Sequence, residues 1–251
     1  MFEHIIPKKK VGFLAPRMVS DYGPYEFYQF APPGLMMVTV PMGIRKFDEQ
    51  DVARVYGNVD EHIGELVARR VDAIVQSGVP ITALAGPDEH DRRLAYIEKK
   101  SGIQTSSAVL GAVKACRHLG VKKLAIADKF TTRINEMLAR FFTREGIEVV
   151  GIVAWSKQQD EIDPLEVKRM TAQQLMDIGY RIGREALARY PEADGLYMPG
   201  GSWPLTPVVK DLEAETGKTV LGHKDLTIWQ AARMVGMFAP RPGFGRLLSE
   251  A

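Results

Sequence analysis

The sequence predicts an α/β protein with two lobes related by a pseudo-twofold axis, each lobe a parallel sheet flanked by helices. Short apolar runs alternate along the chain with longer amphipathic runs, which is typical of parallel strands joined by crossover helices. The same order of elements occurs twice within the 251 residues. A chain of this length can bury a large core without disulfide bonds, so an ordinary globular fold is expected.

The first cycle opens with buried strands that end at prolines. Pro16 stops the run at residues 11–15 and Pro41 stops the run at residues 36–40, because proline cannot donate to a sheet ladder. A helix over residues 48–70 follows, with Asp48 as its N-cap. The remaining predicted elements of this cycle are a strand at residues 73–75 and helices at residues 92–100 and 106–119.

The second cycle repeats this order with glycines as helix stops. Gly146 follows a helix at residues 132–145, and Gly217 follows one at residues 208–215, where glycine readily closes a helix. The other predicted helices cover residues 164–190 and 225–235. The predicted strands are residues 123–127, 148–153, 195–198 and 219–221.

The clearest sign of a repeat lies where one strand of each cycle ends. A long helix is followed by an acidic residue, a short strand and a glycine in both cycles, from Asp72 to Gly78 and from Asp194 to Gly200. We therefore predict a first lobe of residues 1–100 plus 222–251 and a second lobe of residues 101–221. The alternative is the loose self-similarity of any chain of βαβ units.

Composition and charge limit the classes of function. The 33 basic and 31 acidic residues give a net charge of +2, which does not fit a clustered basic surface for nucleic acid. No apolar run reaches the roughly 18 residues of a membrane span, and the start lacks the pattern of a signal peptide. Cys116 has no partner for an internal disulfide, and a lone thiol fits a reducing cytoplasm. We expect a cytoplasmic monomer or homo-oligomer without nucleic-acid or membrane partners.

Two loops form the predicted ligand site. Ligands of open parallel sheets bind beyond the carboxyl ends of the strands, and both cycles place a glycine there. Backbone N–H groups at glycines can form an anion nest, so we expect the loops to hold a carboxylate across a shared cleft. The alternative is a plain tight turn. The binding candidates are Ser77, Gly78 and Val79 in the first loop and Gly200, Gly201 and Trp203 in the second, where Ser202 is a catalytic candidate.

Three further residues have side chains suited to carboxylate chemistry. Arg17 follows the first strand, where its guanidinium can clamp a carboxylate; a surface arginine is the alternative. Lys129 follows Asp128 after the strand that opens the second cycle, and a desolvated lysine can act as an acid or a base; an exposed loop charge is the alternative. His223 follows the last strand and suits proton transfer near neutral pH; a structural histidine is the alternative.

Two other groups of residues do not by themselves indicate a catalytic or metal site. Tyr22, Tyr25 and Tyr28 are predicted to form an aromatic loop that either covers the cleft or packs in the core. The contiguous run Asp-Glu-His-Asp at residues 88–91 lacks the spacing of metal ligands. It indicates the solvated start of a helix, so we expect no metal there.

Several motifs resemble those of known enzymes. The run 239–247, Ala-Pro-Arg-Pro-Gly-Phe-Gly-Arg-Leu, resembles the C-terminus of arylmalonate decarboxylases, and residues 229–233 are similar to the Trp-Asp-Ala-x-Arg run that precedes it there. Residues 120–125 resemble their Gly-Val-Arg-Arg-Val-Ala, and Asn135-Glu136 resembles their Asn-Glu. The similarity covers nearly the whole chain. It is identified as a member of the aspartate/glutamate racemase superfamily, closest to arylmalonate decarboxylase and maleate cis–trans isomerase.

The resemblance also reveals departures from the superfamily's chemistry. Its members place catalytic cysteines at the ends of two equivalent strands; racemases and maleate isomerase use both, and arylmalonate decarboxylase keeps only the second. The matching positions here are Gly78 and Gly200. Phe130 matches the active-site tyrosine of the decarboxylase, and we count it and Thr131 as substrate-binding candidates. Racemization or isomerization through paired cysteines is therefore disfavoured.

The function that the resemblance implies is a decarboxylase-like lyase, without metal or organic cofactor, acting on a small carboxylic acid. Backbone amides of residues 200–202, helped by Arg17, would stabilise an enolate-like anion. His223 or Lys129 would deliver the proton.

Two alternatives stay open. One is a hydrolase or dehydratase on the same scaffold, with Ser77 or Ser202 near His223, although the glycine-serine run lacks the spacing of a nucleophile elbow. The other is a non-catalytic carboxylate-binding homologue.

Overall fold

The computed structural model describes residues 6–17, 22–155 and 169–250, which form two parallel four-stranded sheets flanked by helices. The first sheet has the order β2-β1-β3-β4, with β1 (Lys9–Ala15), β2 (Leu35–Pro41), β3 (Ala73–Gln76) and β4 (Thr105–Ser107). The second has the order β6-β5-β7-β8, with β5 (Lys123–Asp128), β6 (Glu148–Ala154), β7 (Gly195–Met198) and β8 (Thr219–Gly222). The predicted α/β class is confirmed.

The helices connect the strands and cover both faces of each sheet. They are α1 (Tyr22–Phe30), α2 (Glu49–Gly57), α3 (Val59–Ala68), α4 (Val79–Ala85), α5 (Pro87–Ser101), α6 (Ala108–His118), α7 (Thr132–Arg144), α8 (Ala172–Arg189), α9 (Thr206–Thr216), α10 (His223–Met234) and α11 (Arg246–Ser249). Within the described ranges, none of them has the length and apolar character that crossing a bilayer requires.

The two sheets have equivalent strand orders, which fixes where the loops of interest lie. Strands β1 and β5 occupy corresponding inner positions, and β3 and β7 pair with them in parallel. The loops after β1 and β3 therefore leave one edge of the first sheet together, and those after β5 and β7 do the same in the second. The first sheet takes its fourth strand from Thr105–Ser107; the lobe boundaries at residues 100 and 221 stay a prediction.

The lobes share a hydrophobic core. One cluster of buried side chains contains Val11 and Val75 from the first sheet together with Ile126 and Leu221 from the second. Cys116, on α6, is fully buried in the same cluster. Because burying such aliphatic side chains contributes about 1.5–3 kcal/mol each, the two lobes stabilise one another directly.

Two helical predictions need correction. The predicted helix over residues 48–70 is two helices, α2 and α3, because the backbone leaves helical geometry at Asn58 (φ −105°, ψ 14°). The predicted aromatic loop is helix α1, on which Tyr25 and Tyr28 are 69% and 54% exposed, so these two do not pack in the core; a cover over the cleft stays a prediction.

Three further differences concern short or partly described elements. Helix α4 occupies the stretch after Gly78 that was expected to be a loop, and Ser106 and Ser107 belong to strand β4 rather than to the helix predicted from residue 106. Of the predicted helix at residues 164–190, residues 164–168 lie outside the described residues. Helix α8 begins at a capping box formed by Thr171 and Gln174.

Candidate active site

The loop after β3 packs tightly against the loop after β1. Gly78 has φ +94°, and a Cβ built there would lie 2.6 Å from Cγ of Pro16. Both the left-handed backbone and the close approach therefore require glycine. Ser77 donates its backbone N–H to the carbonyl of Leu14 at 3.0 Å, and the buried Val79 begins helix α4. This loop places Gly78 next to the segment that carries Arg17.

The loop after β7 has an unusual backbone but more space around it. Gly200 has φ +123°, a conformation that side-chain-bearing residues rarely adopt. A Cβ built there would lie 3.5 Å from Cε and 3.9 Å from Nζ of Lys129, which is ordinary van der Waals contact. The backbone, and not crowding, therefore accounts for glycine at this position, and Lys129 lies directly in front of it.

Lys129 is the chemically most unusual residue near these loops. It follows β5, is 7% exposed, and donates from Nζ to Oγ of Ser202 at 2.5 Å. Its Nζ lies 4.8 Å from the ring centroid of Trp203. Burial lowers the pKa of Lys129 well below its usual 10.5, the charge of Arg17 lowers it further, and Asp128 partly opposes both. The predicted exposed-loop alternative is therefore wrong for this lysine.

Arg17 connects the first lobe to this lysine. Its positive charge acts on the pKa of Lys129, which places the guanidinium on the same side of the molecule as the Gly200 loop. Burial lowers the pKa of Arg17 itself, and its guanidinium carbon lies 5.0 Å from the ring centroid of Phe47. A partly desolvated arginine attracts a carboxylate more strongly than a fully hydrated one. The site thus combines a cation from each lobe.

His223 lies against Gly201 of the same loop. It is the first residue of α10 and is 6% exposed, with Nε2 3.2 Å from the position of a Cβ on Gly201. Burial lowers the pKa of His223 to about 3, and the charges of Lys224 and Lys129 act in the same direction. The imidazole is therefore neutral at physiological pH.

The remaining candidates form the walls and the supports. Trp203 is buried, and its ring meets that of Trp155 edge-on at 6.3 Å, so it forms an apolar wall under Lys129, while Ser202 is exposed. Phe130 is 3% exposed in the shared core, and Thr131 accepts from the N–H of Ile134 as the N-cap of α7. Their assignment as substrate-binding residues stays a prediction.

Asp128 holds the turn that presents Lys129. The carboxyl group is fully buried, and its Oδ1 accepts from the N–H of Phe130 at 2.9 Å and from Nδ2 of Asn135 at 3.2 Å. Burial raises the pKa of Asp128 to about 7, although these two hydrogen bonds act to lower it. The side chain therefore positions the backbone after β5.

A cluster of buried polar residues beside His223 was not identified from the sequence. Glu26 on α1 accepts the N–H of Thr206 at 3.0 Å, and Lys224 and Asp225 follow His223 on α10. Burial raises the pKa of Asp225 well above its usual value and raises that of Glu26, while it lowers the pKa of Lys224. The sequence signal for this cluster was the charged pair Lys224 and Asp225, which comes shortly after a buried strand. Its partners Thr206 and Glu26 lie about 20 and 200 positions away in the chain, so local sequence did not reveal them.

No metal cluster is evident among the described residues, in which no three His, Cys, Asp or Glu side chains converge. The run at residues 88–91 lies in the first turn of α5, as predicted, and His90 is buried there with Nε2 2.8 Å from Oγ of Ser107. Burial raises the pKa of the Cys116 thiol to about 12, so this cysteine is a structural residue.

Comparison with known proteins supports the resemblance drawn from the motifs. The family model for arylmalonate decarboxylase matches residues 18–248. Arylmalonate decarboxylase of Bordetella bronchiseptica is 22% identical over 220 residues, which cover 87% of this chain and 88% of the relative.

Solved structures match the fold over almost the whole chain. A double mutant of arylmalonate decarboxylase in the liganded form has a TM-score of 0.83 at 20% identity, covering 97% of this chain and 100% of the other. A maleate cis–trans isomerase mutant of Nocardia farcinica with a covalently bound succinylcysteine intermediate has a TM-score of 0.81 at 18% identity, covering 97% and 99%. The fold is therefore common to decarboxylase and isomerase, and the chain belongs to the arylmalonate decarboxylase family within the aspartate/glutamate racemase superfamily.

Proposed function

We propose that the protein is a cofactor-independent lyase that decarboxylates a small carboxylic acid, with Lys129 as the proton donor. The observation that carries the proposal is the position of Lys129, whose Nζ lies 3.9 Å from the Cβ position of Gly200. By resemblance, Gly200 stands where the decarboxylases have their catalytic cysteine. A proton donor next to that position can serve the same carbon atom of a bound substrate.

Substrate binding uses the charge of Arg17, in the segment after β1, and the backbone donors of the Gly200 loop. Arg17 attracts a carboxylate, and the main-chain N–H groups of residues 200–202 provide an anion nest without a side chain at Gly200. The bond between the α carbon and one carboxyl carbon breaks, CO₂ leaves, and the electron pair passes into the remaining carboxyl group as an enediolate. Each backbone donor to that anion contributes about 3–4 kcal/mol of transition-state stabilisation.

Proton delivery is assigned to Lys129 rather than to His223. With a pKa of about 3, His223 is a neutral imidazole near pH 7 and not the imidazolium that would serve as a proton donor. Lys129 has a pKa lowered from 10.5, which makes its ammonium a stronger acid than an ordinary lysine. The ammonium gives its proton to the α carbon and regains one from solvent, so the cycle needs no cysteine.

The test is release of CO₂ from a panel of substituted malonates at neutral pH by the wild-type protein and by Lys129→Arg. Arginine keeps the positive charge but does not release a proton, so we expect kcat to fall about 100- to 10,000-fold, the contribution of a general acid. Lys123→Arg, at the exposed start of the same strand, is the matched control and is expected to keep full activity.

Two results would contradict the proposal. Unchanged CO₂ release by a folded Lys129→Arg protein would remove Lys129 from the chemistry. Binding of malonates by the wild type without CO₂ release across the panel would favour a non-catalytic carboxylate-binding homologue.

The hydrolase alternative is favoured by one specific contact. Oγ of Ser202 lies 2.5 Å from Nζ of Lys129, which is the pairing of a serine nucleophile with a lysine base. Activated esters of small carboxylic acids distinguish the two functions. A hydrolase loses ester cleavage in Ser202→Ala, whereas the proposed lyase keeps most of its CO₂ release in that variant because Lys129 remains.

A further inference from the structure

The surroundings of Lys129 differ from those of the other buried lysine near the site. Lys224 is 5% exposed, and burial lowers its pKa. The carboxyl groups of Glu26 and Asp225 partly oppose this shift. Lys129 is 7% exposed and faces Arg17, Ser202 and the ring of Trp203, with Asp128 behind it in the chain. Of these two lysines, Lys129 alone is therefore flanked by a cation and an apolar wall.

The absence of a side chain at Gly200 leaves room for one carbon-sized atom beside Lys129. Gly200 contributes no side chain, and its Cβ position is in ordinary contact with Cε and Nζ of Lys129, so a substrate atom of similar size fits in that place. A ligand whose carboxylate is drawn towards Arg17 would present its neighbouring atoms to the Lys129 amine. That arrangement brings a nucleophilic nitrogen, and not only an acid, to the substrate.

We propose that the Lys129 amine forms a Schiff base with the ketone carbon of a 3-oxo carboxylic acid, and that this class is a substrate of the enzyme. The inference rests on the proposed function, because it uses the same carboxylate-binding site and the same loss of CO₂. Lysines that are desolvated or placed beside another cation are known to become nucleophiles of this kind.

The reaction balances without another reactant. The neutral amine adds to the ketone carbon, the adduct takes up one proton, and water leaves as a protonated imine forms; the final hydrolysis returns this proton. The bond between C1 and C2 then breaks, CO₂ leaves, and its electron pair moves into the C=N bond to give an enamine. Protonation at C2 and addition of water release the methyl ketone and return the amine. The net change is the exchange of CO₂ for one proton.

The charges around Lys129 support this role. Burial and the charge of Arg17 both lower its pKa, which increases the fraction of neutral amine near pH 7, while Asp128 opposes them. The carboxyl group of Asp128 has a pKa of about 7, so its opposition is partial at neutral pH. His223, beside Gly201, is neutral and adds no positive charge.

The experiment is reductive trapping of the full-length protein with acetoacetate and sodium cyanoborohydride, followed by mass spectrometry of its peptides. We expect a stable adduct on the peptide that carries Lys129 and none on the peptide that carries Lys224, which serves as the control within the molecule. Acetone at the same concentration, which lacks the carboxylate, should label Lys129 much less. Lys129→Arg should lose the adduct, and Lys123→Arg should keep it.

The outcomes separate this inference from the proposed function. Absence of an adduct on Lys129, while the same preparation releases CO₂ from malonates, overturns the Schiff base and leaves the lyase proposal standing. Equal labelling of Lys129 and of exposed lysines overturns it as well. Equal labelling by acetone and acetoacetate would show an amine that is reactive without a carboxylate site, and would count against the proposed function. If Lys129→Arg fails to fold, the position of the adduct in the wild type decides, and an adduct on any peptide other than that of Lys129 overturns the inference.

Discussion

A side chain is unfavourable at positions 78 and 200 for different physical reasons. At Gly78 a Cβ would meet Pro16 at 2.6 Å, and the backbone is left-handed as well. At Gly200 the nearest atom to a Cβ is 3.5 Å away, so only the backbone at φ +123° is unfavourable. Gly217, which closes α9 at φ +67°, has nothing within 4 Å of its Cβ position.

Replacing each of these glycines by alanine should therefore cost different amounts of stability. We expect about 1 kcal/mol for Gly217→Ala, from the left-handed backbone alone. Gly200→Ala should cost about 1–3 kcal/mol, since its backbone is in a region nearly confined to glycine. Gly78→Ala should cost about 3 kcal/mol or more, because overpacking adds to the strain. Urea unfolding of the three variants measures the order, and equal costs would contradict it.

At the scale of elements, the turn between β5 and α7 depends on one carboxyl group. Asp128 lies where the strand ends, and its Oδ1 accepts two hydrogen bonds from the residues that follow. Its Oδ2 is buried without a partner among the described atoms. The folded state therefore favours the protonated carboxyl group, which gives the turn a pH dependence.

This pH dependence can be measured with Asp128→Asn. The pKa of Asp128 rises from 3.8 to about 7 on folding, so its protonation stabilises the fold below pH 4 and this contribution is lost between about pH 4 and 7. The slope is at most about 1.4 kcal/mol per pH unit. Asparagine does not ionise, so the stability of Asp128→Asn relative to wild type should increase over that range and level off above it. A constant difference from pH 4 to 8 would contradict the raised pKa.

The elements show how far the sequence was informative. Strands β1 and β2 were predictable because apolar runs end at Pro16 and Pro41, and the glycine loops were predictable because they recur. Strand β4 has three residues, too few for alternation to distinguish it from the start of α6. Helix α1 was missed because its buried residues are Gly23, Glu26 and Phe27, of which only Phe27 is a large apolar residue.

The site was predictable in part for a related reason. Lys129, Ser202 and His223 follow strand ends, and local sequence suffices to place them at that edge of the sheet, where ligands of parallel sheets are expected. The contact of Glu26 with Thr206 joins residues 180 positions apart, and no local pattern predicts such a pair. Nor does composition reveal that Lys129 is buried, since the ring of Trp203 that lies beside its amine belongs to a distant part of the chain.

At the scale of the whole molecule, the site depends on both lobes at once. Arg17 belongs to the segment after β1 and Lys129 to the segment after β5, and the shared core holds the two sheets together. The charge on Arg17 lowers the pKa of Lys129. Under the proposed function, carboxylate binding in one lobe and proton donation in the other would thereby be coupled through electrostatics.

Arg17→Gln tests this coupling. Without the guanidinium the Lys129 ammonium is more stable, so its pKa rises, and the loss of activity at alkaline pH, where the donor is deprotonated, should move to higher pH. At the same time KM should rise roughly 10- to 100-fold, the value of a charge-assisted hydrogen bond of about 1.5–3 kcal/mol. Arg45→Gln, at an exposed position after β2, should change neither. Profiles of kcat and KM against pH measure both effects, and an alkaline limb at the same pH in Arg17→Gln and wild type would show that the two cations act independently.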